Sequence, residues 1–493
     1  MNQSAQVAVR TSAGMTKRET ITNIIMQGTV WGSLLCAATT DKLAKRVYNE
    51  GELLYKYKGE VDVPPMEMVD DILTLQKCGR ASEAMNAEVN AFIEQKKLTL
   101  GHKKCRKVHI GQKCDNCDKL FVHENIMKEA SEVKYLGDIL NSHGNPKATI
   151  SERINRGYAI CGQIFALLRD IPLGSLRVQI GLELRKAWLV NGIIFNSEVW
   201  HSVADSDIAP FVEIDKYLLK GLLTAHAKTP LEHIYLETAA LPIPYIITTR
   251  RLIYLKHILD RSDTEVTNKI YRCQKANPSP GDWCNLVDQD FKDIELDITE
   301  DFIKTMPLLD YKALIKSTVR KAAFKSLEAK KASHSKVNQN KYIDMKNPQG
   351  YLTDKSITNT QCSILFALRS HRVRGIKENF KILYSENTLC PLCERCIDTQ
   401  FHILQCKVLQ DILPLTEDIS YSDIYGTTQS QIDFVRIYEQ YLVLRDEILE
   451  DTDPQASIPA IYAGPRHHQT RRPPDWSCTR DSQTTDVSLD GIQ

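Results

Sequence analysis

The sequence lacks the features that send a chain out of the cell or into a membrane. The N-terminal segment, MNQSAQVAVRTSAG, contains no apolar core of signal-peptide length, so nothing in it predicts secretion. No run of about 18 apolar residues occurs, which argues against a membrane span. Internal repeats are also absent. We therefore expect an intracellular protein without a membrane partner, whose fourteen cysteines are free thiols or metal ligands rather than disulfides.

The chain also lacks a large net charge of either sign, since 63 basic residues stand against 62 acidic ones and the net charge is only +1. The distribution is more informative. Residues 285–301 carry seven acidic side chains and one lysine, whereas residues 312–346 carry ten lysines and arginines against two acids. A basic C-terminal half can bind phosphates, but such a run is also typical of a solvated helix face. The sequence leaves these two interpretations open.

Hydrophobic periodicity predicts a mixture of helices and short strands. Apolar residues recur at helical spacing over residues 82–97 and 175–195. Capping-box patterns, Thr16-x-x-Glu19 and Thr149-x-x-Glu152, predict two further helix starts. The second start is followed by a helical apolar stripe from Ile150 to Leu168. Short strands are predicted within the segments KLTLGHKKCRKVHIG and EVKYLGDIL, and a loop in QKANPSPGDW.

Two adjacent aspartates, Asp70 and Asp71, interrupt an apolar run in PPMEMVDDILTLQKCG. Like charges side by side mark either an exposed turn or a site for a divalent cation. Because apolar residues lie on both sides of the acids, the pattern predicts a strand, a tight turn and a second strand, with the carboxylates at the tip.

A second cluster predicts a zinc site near the C-terminus. The segment CPLCERCIDTQFHILQC gives the spacing Cys390-x2-Cys393-x8-His402-x3-Cys406. Three thiolates and one imidazole suit tetrahedral zinc, and Cys-x2-Cys lets one tight turn present two sulfurs to one ion. Bound zinc would supply folding free energy that so small a segment lacks. Cys396 remains an alternative to Cys393, and chance clustering of thiols remains the alternative to a metal site.

A further group of cysteines and histidines lies in the segment HKKCRKVHIGQKCDNCDKLFVH. Cys114 and Cys117 have the Cys-x2-Cys spacing, and four other candidate ligands are nearby, namely His102, Cys105, His109 and His123. These residues are spread over strand-like pieces of alternating direction. We therefore favour ordinary structural positions over a second zinc site here.

The order of the N-terminal motifs resembles that of a known enzyme family. The segments MQGTVWGS, MVDDI, FIEQKKLTLGHKKC and KYLGDIL resemble motifs B, C, D and E of reverse transcriptases, most closely those of non-LTR (LINE-like) retrotransposons. Many family members also carry a C-terminal Cys-Cys-His-Cys zinc knuckle. The resemblance covers roughly residues 5–410. It implies an RNA-directed DNA polymerase in the nucleus and cytoplasm that acts on an RNA template, a DNA primer or target and dNTPs.

The resemblance also assigns roles to individual residues. Asp70 would be a ligand of the catalytic Mg²⁺ ions, and Asp71 would add charge beside it. Lys104 takes the place of the motif D lysine near the triphosphate, where it would donate a proton to the leaving group. Two segments would contact nucleotide, template and primer: Gln27 and Gly28 in motif B, and the primer grip formed by Tyr135, Leu136 and Gly137.

The resemblance implies an α+β fold in which a partial reverse-transcriptase palm precedes a mostly helical thumb and C-terminal region with a small zinc knuckle. The predicted boundaries are palm 1–145, thumb 146–265, basic helical connection 266–380, zinc knuckle 381–412, C-terminal helices 413–449 and disordered tail 450–493. The sequence does not predict an oligomeric state.

Two departures from the family qualify the predicted activity. Met68 stands where an aromatic residue usually precedes the aspartate pair, and the 26 residues before Gln27 contain no aspartate to serve as the motif A ligand. We therefore expect no polymerase activity from this chain alone, which a primer-extension assay on a homopolymer template would test. One alternative is a non-catalytic RNA- or DNA-binding protein that retains the thumb and zinc knuckle. A scaffold protein unrelated to polymerases is the other.

Overall fold

The structure is a computed structural model, and it describes most of the chain apart from parts of the N-terminal region, several short internal segments and the C-terminal end. The residues described are 5–8, 10–11, 14–21, 43, 54–68, 71–77, 79–96, 98, 100–111, 120–122, 125–334, 336–373, 376–377, 388–415 and 419–452. They group into two compact units. The first unit comprises residues 1–164, 183–217 and 240–328, and the second comprises 165–182, 218–239 and 329–493.

The strands are short, and each pairs with one partner. In chain order they are β1 Ala5–Val7, β2 Arg10–Thr11, β3 Gly14–Met15, β4 Glu19–Ile21, β5 Tyr55–Tyr57, β6 Val61–Val63, β7 Met66–Met68, β8 Asp71–Leu73, β9 Arg106–Lys107, β10 Phe121–Val122, β11 Asn125–Ile126, β12 Lys128–Glu129, β13 Glu132–Tyr135 and β14 Asp138–Asn141. Within the described residues they form seven two-stranded sheets, of which only the β9–β12 pair is parallel.

Helices dominate from residue 147 onward. They are α1 Gly79–Gln95, α2 Lys147–Leu167, α3 Ser175–Leu184, α4 Asn191–Ile193, α5 Asp205–Leu222, α6 Leu231–Thr238, α7 Ile243–Leu259, α8 Val266–Ala276, α9 Trp283–Asp293, α10 Glu300–Thr305, α11 Leu308–Ala332, α12 Asn359–Arg369, α13 Lys407–Ile412 and α14 Thr428–Thr452. A π-helical turn, Arg185–Val190, joins α3 to α4, so the predicted helix over 175–195 is confirmed with a change of hydrogen-bond register.

The core of the first unit lies among α7 to α11. Its buried side chains include Leu252, Trp283, Val287, Ile294 and Ile315. Acidic and basic segments therefore pack into one hydrophobic cluster, since Val287 and Ile294 come from residues 285–301 and Ile315 comes from the basic segment. Lys325 of α11 also forms an ion pair with Glu295 at 2.6 Å. One of the basic residues thus meets an acidic partner within the same unit.

Both capping-box predictions fail in the described residues. Thr16 precedes a strand, because Glu19–Ile21 pairs with β1 rather than starting a helix. Helix α2 begins at Lys147, two residues before Thr149, whose side-chain oxygen accepts a hydrogen bond from the Ile139 backbone N–H at 2.8 Å. The predicted apolar stripe of α2 is confirmed only in part. Ile150, Cys161 and Ile164 are buried, whereas Tyr158 is exposed.

The prediction of strand over EVKYLGDIL is wrong at its centre. Leu136 and Gly137 adopt positive φ angles of 47° and 88°, which turn the chain back so that β13 and β14 form a hairpin. Two consecutive positive φ angles are typical of the type I′ turn, whose twist matches that of the flanking strands. The segment before it also differs, because residues 102–104 form a turn and, among the residues of this segment that the structure describes, only Arg106–Lys107 is a strand.

Candidate metal centre and the paired hairpins

The second unit brings the four predicted zinc ligands together. One ligand atom from each of Cys390, Cys393, His402 and Cys406 lies within 4.8 Å of the others. The Cys390 and Cys406 sulfurs are 4.0 Å apart, and the Cys393 sulfur is 3.3 Å from His402 Nε2. Ligand atoms around tetrahedral zinc are about 3.5–3.8 Å apart when Zn–S bonds are about 2.3 Å. The donor set and its size therefore fit a zinc ion.

Local hydrogen bonds build the Cys-x2-Cys turn. Leu389 and Ile397 form an isolated antiparallel bridge, and the Cys390 backbone N–H donates to the Cys396 carbonyl oxygen at 2.7 Å. The Glu394 N–H then donates to the Cys390 carbonyl oxygen at 2.9 Å. Glu394 has a φ angle of 52°, which reverses the chain after the second sulfur. This turn presents Cys390 and Cys393 to the same point.

Helical geometry places the other two ligands. His402 begins a 3-10 turn, His402–Gln405, and Thr399 accepts the His402 N–H through its hydroxyl at 3.0 Å. Cys406 follows directly as the residue before α13. The x3 spacing therefore separates the imidazole and the last sulfur by about one turn.

The thiols differ in how readily they ionise. Burial raises the pKa of Cys390 to about 12. Burial also opposes ionisation of Cys393, but hydrogen bonds from the Arg395 and Cys396 backbone N–H groups and from His402 lower its pKa to about 6. Cys393 therefore supplies a thiolate at neutral pH, and metal binding has to displace the proton of Cys390. Cys396 is exposed and lies outside the ligand set, which decides between the two sequence alternatives in favour of Cys393.

The first unit places two of the predicted polymerase motifs side by side. Strands β7 and β8 pair antiparallel with Met68 opposite Asp71, so Asp71 lies at the end of a two-stranded hairpin. The Tyr135 hydroxyl, in the β13–β14 hairpin, donates to the Met66 carbonyl oxygen at 3.4 Å. Burial and the Asp71 carboxylate both raise the pKa of Tyr135. Tyr135 therefore lies close to the aspartate hairpin.

The remaining predicted polymerase residues are less connected or are not described. Asp71 is exposed, and Asp70, Gln27 and Gly28 lie outside the described residues. Mg²⁺ is usually held by one or two carboxylates together with substrate phosphates, and the Mg²⁺ site at Asp70 and Asp71 stays a prediction. Lys104 is exposed in a turn, where its backbone N–H donates to the Gly101 carbonyl oxygen at 2.7 Å.

The second cysteine–histidine group is also only partly described. Cys105 is partly buried and His102 is exposed, whereas Cys114, Cys117 and His123 lie outside the described residues. The preference for ordinary structural positions at this group therefore stays a prediction.

A basic cleft beside the β13–β14 turn was missed from the sequence. It is lined by Lys134, Gly137, Glu152, Arg153, Arg156, Asn191, Gly192 and Phe195. Arg153 is buried and donates to the Gly137 carbonyl oxygen at 2.7 Å and to Asp138 at 3.1 Å. Its guanidinium carbon lies 5.5 Å from the centre of the Phe195 ring, which is itself 48% exposed. The signal available in the sequence was the pair of arginines spaced three apart on α2.

Comparison with known proteins does not identify a relative. No protein-family model, curated protein or solved structure matches the chain. None of the helices in the described part of the chain is both long enough and apolar enough to cross a membrane.

Proposed function

We propose that the protein binds a nucleic-acid primer–template as the C-terminal part of a reverse transcriptase of the non-LTR retrotransposon type. The β13–β14 turn would face the primer, and the aspartate hairpin would lie next to it. In a complete polymerase of this type, Asp70 and Asp71 would hold Mg²⁺, which would supply activation of the primer 3′-hydroxyl and stabilisation of the departing pyrophosphate. Without a motif A aspartate, we expect this chain alone to bind the primer–template without extending it. The zinc centre of the second unit would have a structural role.

The observation that carries the proposal is the contact between Tyr135 and Met66. These residues are 69 positions apart in the chain, and each belongs to a hairpin that the sequence assigns to a different polymerase motif. The motif order alone predicted that a carboxylate-bearing hairpin and a primer-contacting segment work at one site. Adjacency of the two hairpins supports that prediction.

The chemistry of the cleft beside the turn gives further support. Lys134 and Arg156 are solvent-accessible cations at its edge, and Phe195 offers an exposed ring. Phosphates bind cations through counterion release, and bases stack on aromatic rings. Glu152 contributes the opposite charge and pairs with Lys134 at 2.7 Å, so these two charges offset each other and Arg156 is the accessible cation that leaves the cleft basic. The cleft therefore combines the side-chain types that a nucleic-acid strand requires.

The test is binding of a labelled DNA primer annealed to an RNA template, followed by fluorescence anisotropy at several salt concentrations. We expect the Lys134→Ala/Arg156→Ala double variant to bind roughly tenfold more weakly than the wild type. The slope of log affinity against log salt concentration should be smaller in magnitude by about one to two for this variant. Each lost phosphate contact lowers the magnitude of that slope by about 0.9.

The matched control is the Arg261→Ala/Lys292→Ala double variant, which removes the same charge from exposed positions elsewhere in the first unit. We expect this control to bind within about twofold of the wild type. Failure of the wild type to bind, or equal weakening of both double variants, would contradict the proposal. Binding without nucleotide incorporation in a primer-extension assay would favour the non-catalytic alternative.

A further inference from the structure

The loop between the second and third zinc ligands is tied to a distant helix. Asp398 is 1% exposed, and its carboxylate accepts a hydrogen bond from Arg445 of α14 at 2.8 Å. The same oxygen accepts the Lys377 backbone N–H at 2.7 Å. Arg445 is 2% exposed, so both charges of the pair are buried. Their partner groups are therefore each other and the backbone rather than water.

Gln400, two residues further along this loop, connects two helices. Its side-chain nitrogen donates to the Leu368 carbonyl oxygen of α12 at 2.9 Å. Its backbone carbonyl oxygen accepts the Tyr438 hydroxyl of α14 at 3.2 Å. Gln400 and Tyr438 are both buried. The segment that carries His402 therefore also holds α12 and α14.

This arrangement has a consequence for metal binding. Asp398 and Gln400 stand between Cys393 and His402 in the chain, so any displacement of this loop moves the ligands relative to each other. Removing the guanidinium would leave a buried carboxylate without its counter-charge, which favours movement of the loop towards water. A metal ion that binds only the assembled ligand set, in turn, opposes such movement.

We propose that the Asp398–Arg445 pair couples metal binding at Cys390, Cys393, His402 and Cys406 to the packing of α14. Metal loading and helix packing then stabilise each other, and the coupling has the same size in both directions. Asp398 and Arg445 are positioning residues for the metal ligands. This proposal requires the metal centre but not the nucleic-acid function, so the two can fail independently.

The first experiment measures zinc affinity of the full chain by competition with a chromophoric chelator. We expect Arg445→Met to bind zinc at least about tenfold more weakly, in the range found when groups that support metal ligands are removed. The matched control is Arg436→Met, also on α14, where the arginine is 53% exposed. The control should bind zinc within about twofold of the wild type. Unchanged affinity in Arg445→Met would overturn the proposal.

The second experiment does not depend on the folding of Arg445→Met. Zinc is removed from the wild-type chain, and amide hydrogen exchange is followed in peptides from α14. We expect loss of protection across residues 434–445, and the same loss in a Cys390→Ser variant, which should retain well below one equivalent of zinc. Cys396→Ser should retain both zinc and protection. Full protection of α14 in the zinc-free protein would refute the coupling.

Discussion

The metal centre of the second unit and the paired hairpins of the first unit differ in how completely each is enclosed. Cys390, His402 and Cys406 are buried, and the loop between the ligands is fixed by the buried Asp398 and Gln400. By contrast, Met68 and Leu136 at the hairpins are 54% and 44% exposed. The four candidate metal ligands therefore all lie within one unit. The hairpins leave apolar side chains exposed to solvent.

The two sites make different demands on the fold. Four ligands within one short segment need only local turns to converge. The hairpins are two separate two-stranded sheets that meet through Tyr135 and Met66. Isolated two-stranded sheets are marginally stable, so the hairpin site depends more on its surroundings. The units should therefore respond differently to equivalent changes in charge, pH and backbone.

The two units should differ most in the stability that each loses when the carboxylate of an ion pair is removed. In the second unit, Glu237 is completely buried and accepts hydrogen bonds from Arg369 at 2.9 Å and from the Tyr351 hydroxyl at 2.8 Å. Glu237→Gln leaves the arginine buried without its counter-charge, and we expect a loss of about 3–5 kcal/mol in the free energy of unfolding of this unit. Peptide-resolved hydrogen exchange in α6 and α12 measures this change in the free energy of unfolding.

The matched substitution in the first unit is Glu152→Gln, which removes the carboxylate of the exposed pair with Lys134. This variant should lose less than about 1 kcal/mol, because water and salt screen an exposed pair. Equal losses for the two substitutions would show that burial does not govern the energy of these pairs.

A smaller effect should appear when the pH is lowered, as a loss of stability of the second unit through protonation of His233. Burial lowers the pKa of His233 to about 4, and the ring is completely buried beside Tyr342 and Glu237. The unfolded chain binds this proton near pH 6.5, so the contribution of His233 is fully present above that pH and is lost as the pH falls towards 4. Between these two pH values, protonation of His233 should lower the free energy of unfolding by about 3 kcal/mol in total.

The measurement is the pH dependence of unfolding of the second unit in the wild type and in His233→Gln. Between pH 6.5 and 4, the variant should lose stability less steeply, by up to about 1.4 kcal/mol per pH unit. Parallel curves for the two proteins would mean that His233 does not titrate on unfolding.

The smallest expected change in stability comes from a substitution in the turn of the β13–β14 hairpin. Gly137 has a φ angle of 88°, and an added Cβ would lie 3.3 Å from the Phe195 ring. Gly137→Ala should therefore destabilise the first unit by about 1 kcal/mol, measured by thermal unfolding. Gly162→Ala, on α2, where a Cβ meets nothing within 4 Å, should be neutral or stabilising. Stabilisation by Gly137→Ala would rule out the turn geometry described above.

Elements with strong local signals were predictable. Helix α1 begins at Gly79 and covers most of the predicted 82–97, and the loop between α8 and α9 lies within the predicted QKANPSPGDW. The zinc ligand set was predictable from spacing because its chemistry needs four donors close together in the chain. The division into palm, thumb and connection segments, the nucleic-acid partners and the Mg²⁺ site stay predictions.

Elements whose structure depends on distant partners were not predictable. Thr16-x-x-Glu19 has the residue types of a helix start, but pairing with β1 makes Glu19–Ile21 a strand. Thr149 has the same pattern, and its hydroxyl instead serves the Ile139 backbone. In each case a contact with a residue outside the four-residue pattern outweighed the weak preference of that pattern for a helix start.

The four candidate metal ligands, the hairpin of β7 and β8 and most long helices could be predicted from the sequence alone, because spacing and periodicity act over a few residues. Only the tertiary structure decided that Cys396 is excluded from the ligand set, that Tyr135 meets Met66, and that Asp398 is neutralised by Arg445. The physical reason is that burial and pairing of charges depend on which distant segments the fold brings into contact, and no local pattern encodes that choice.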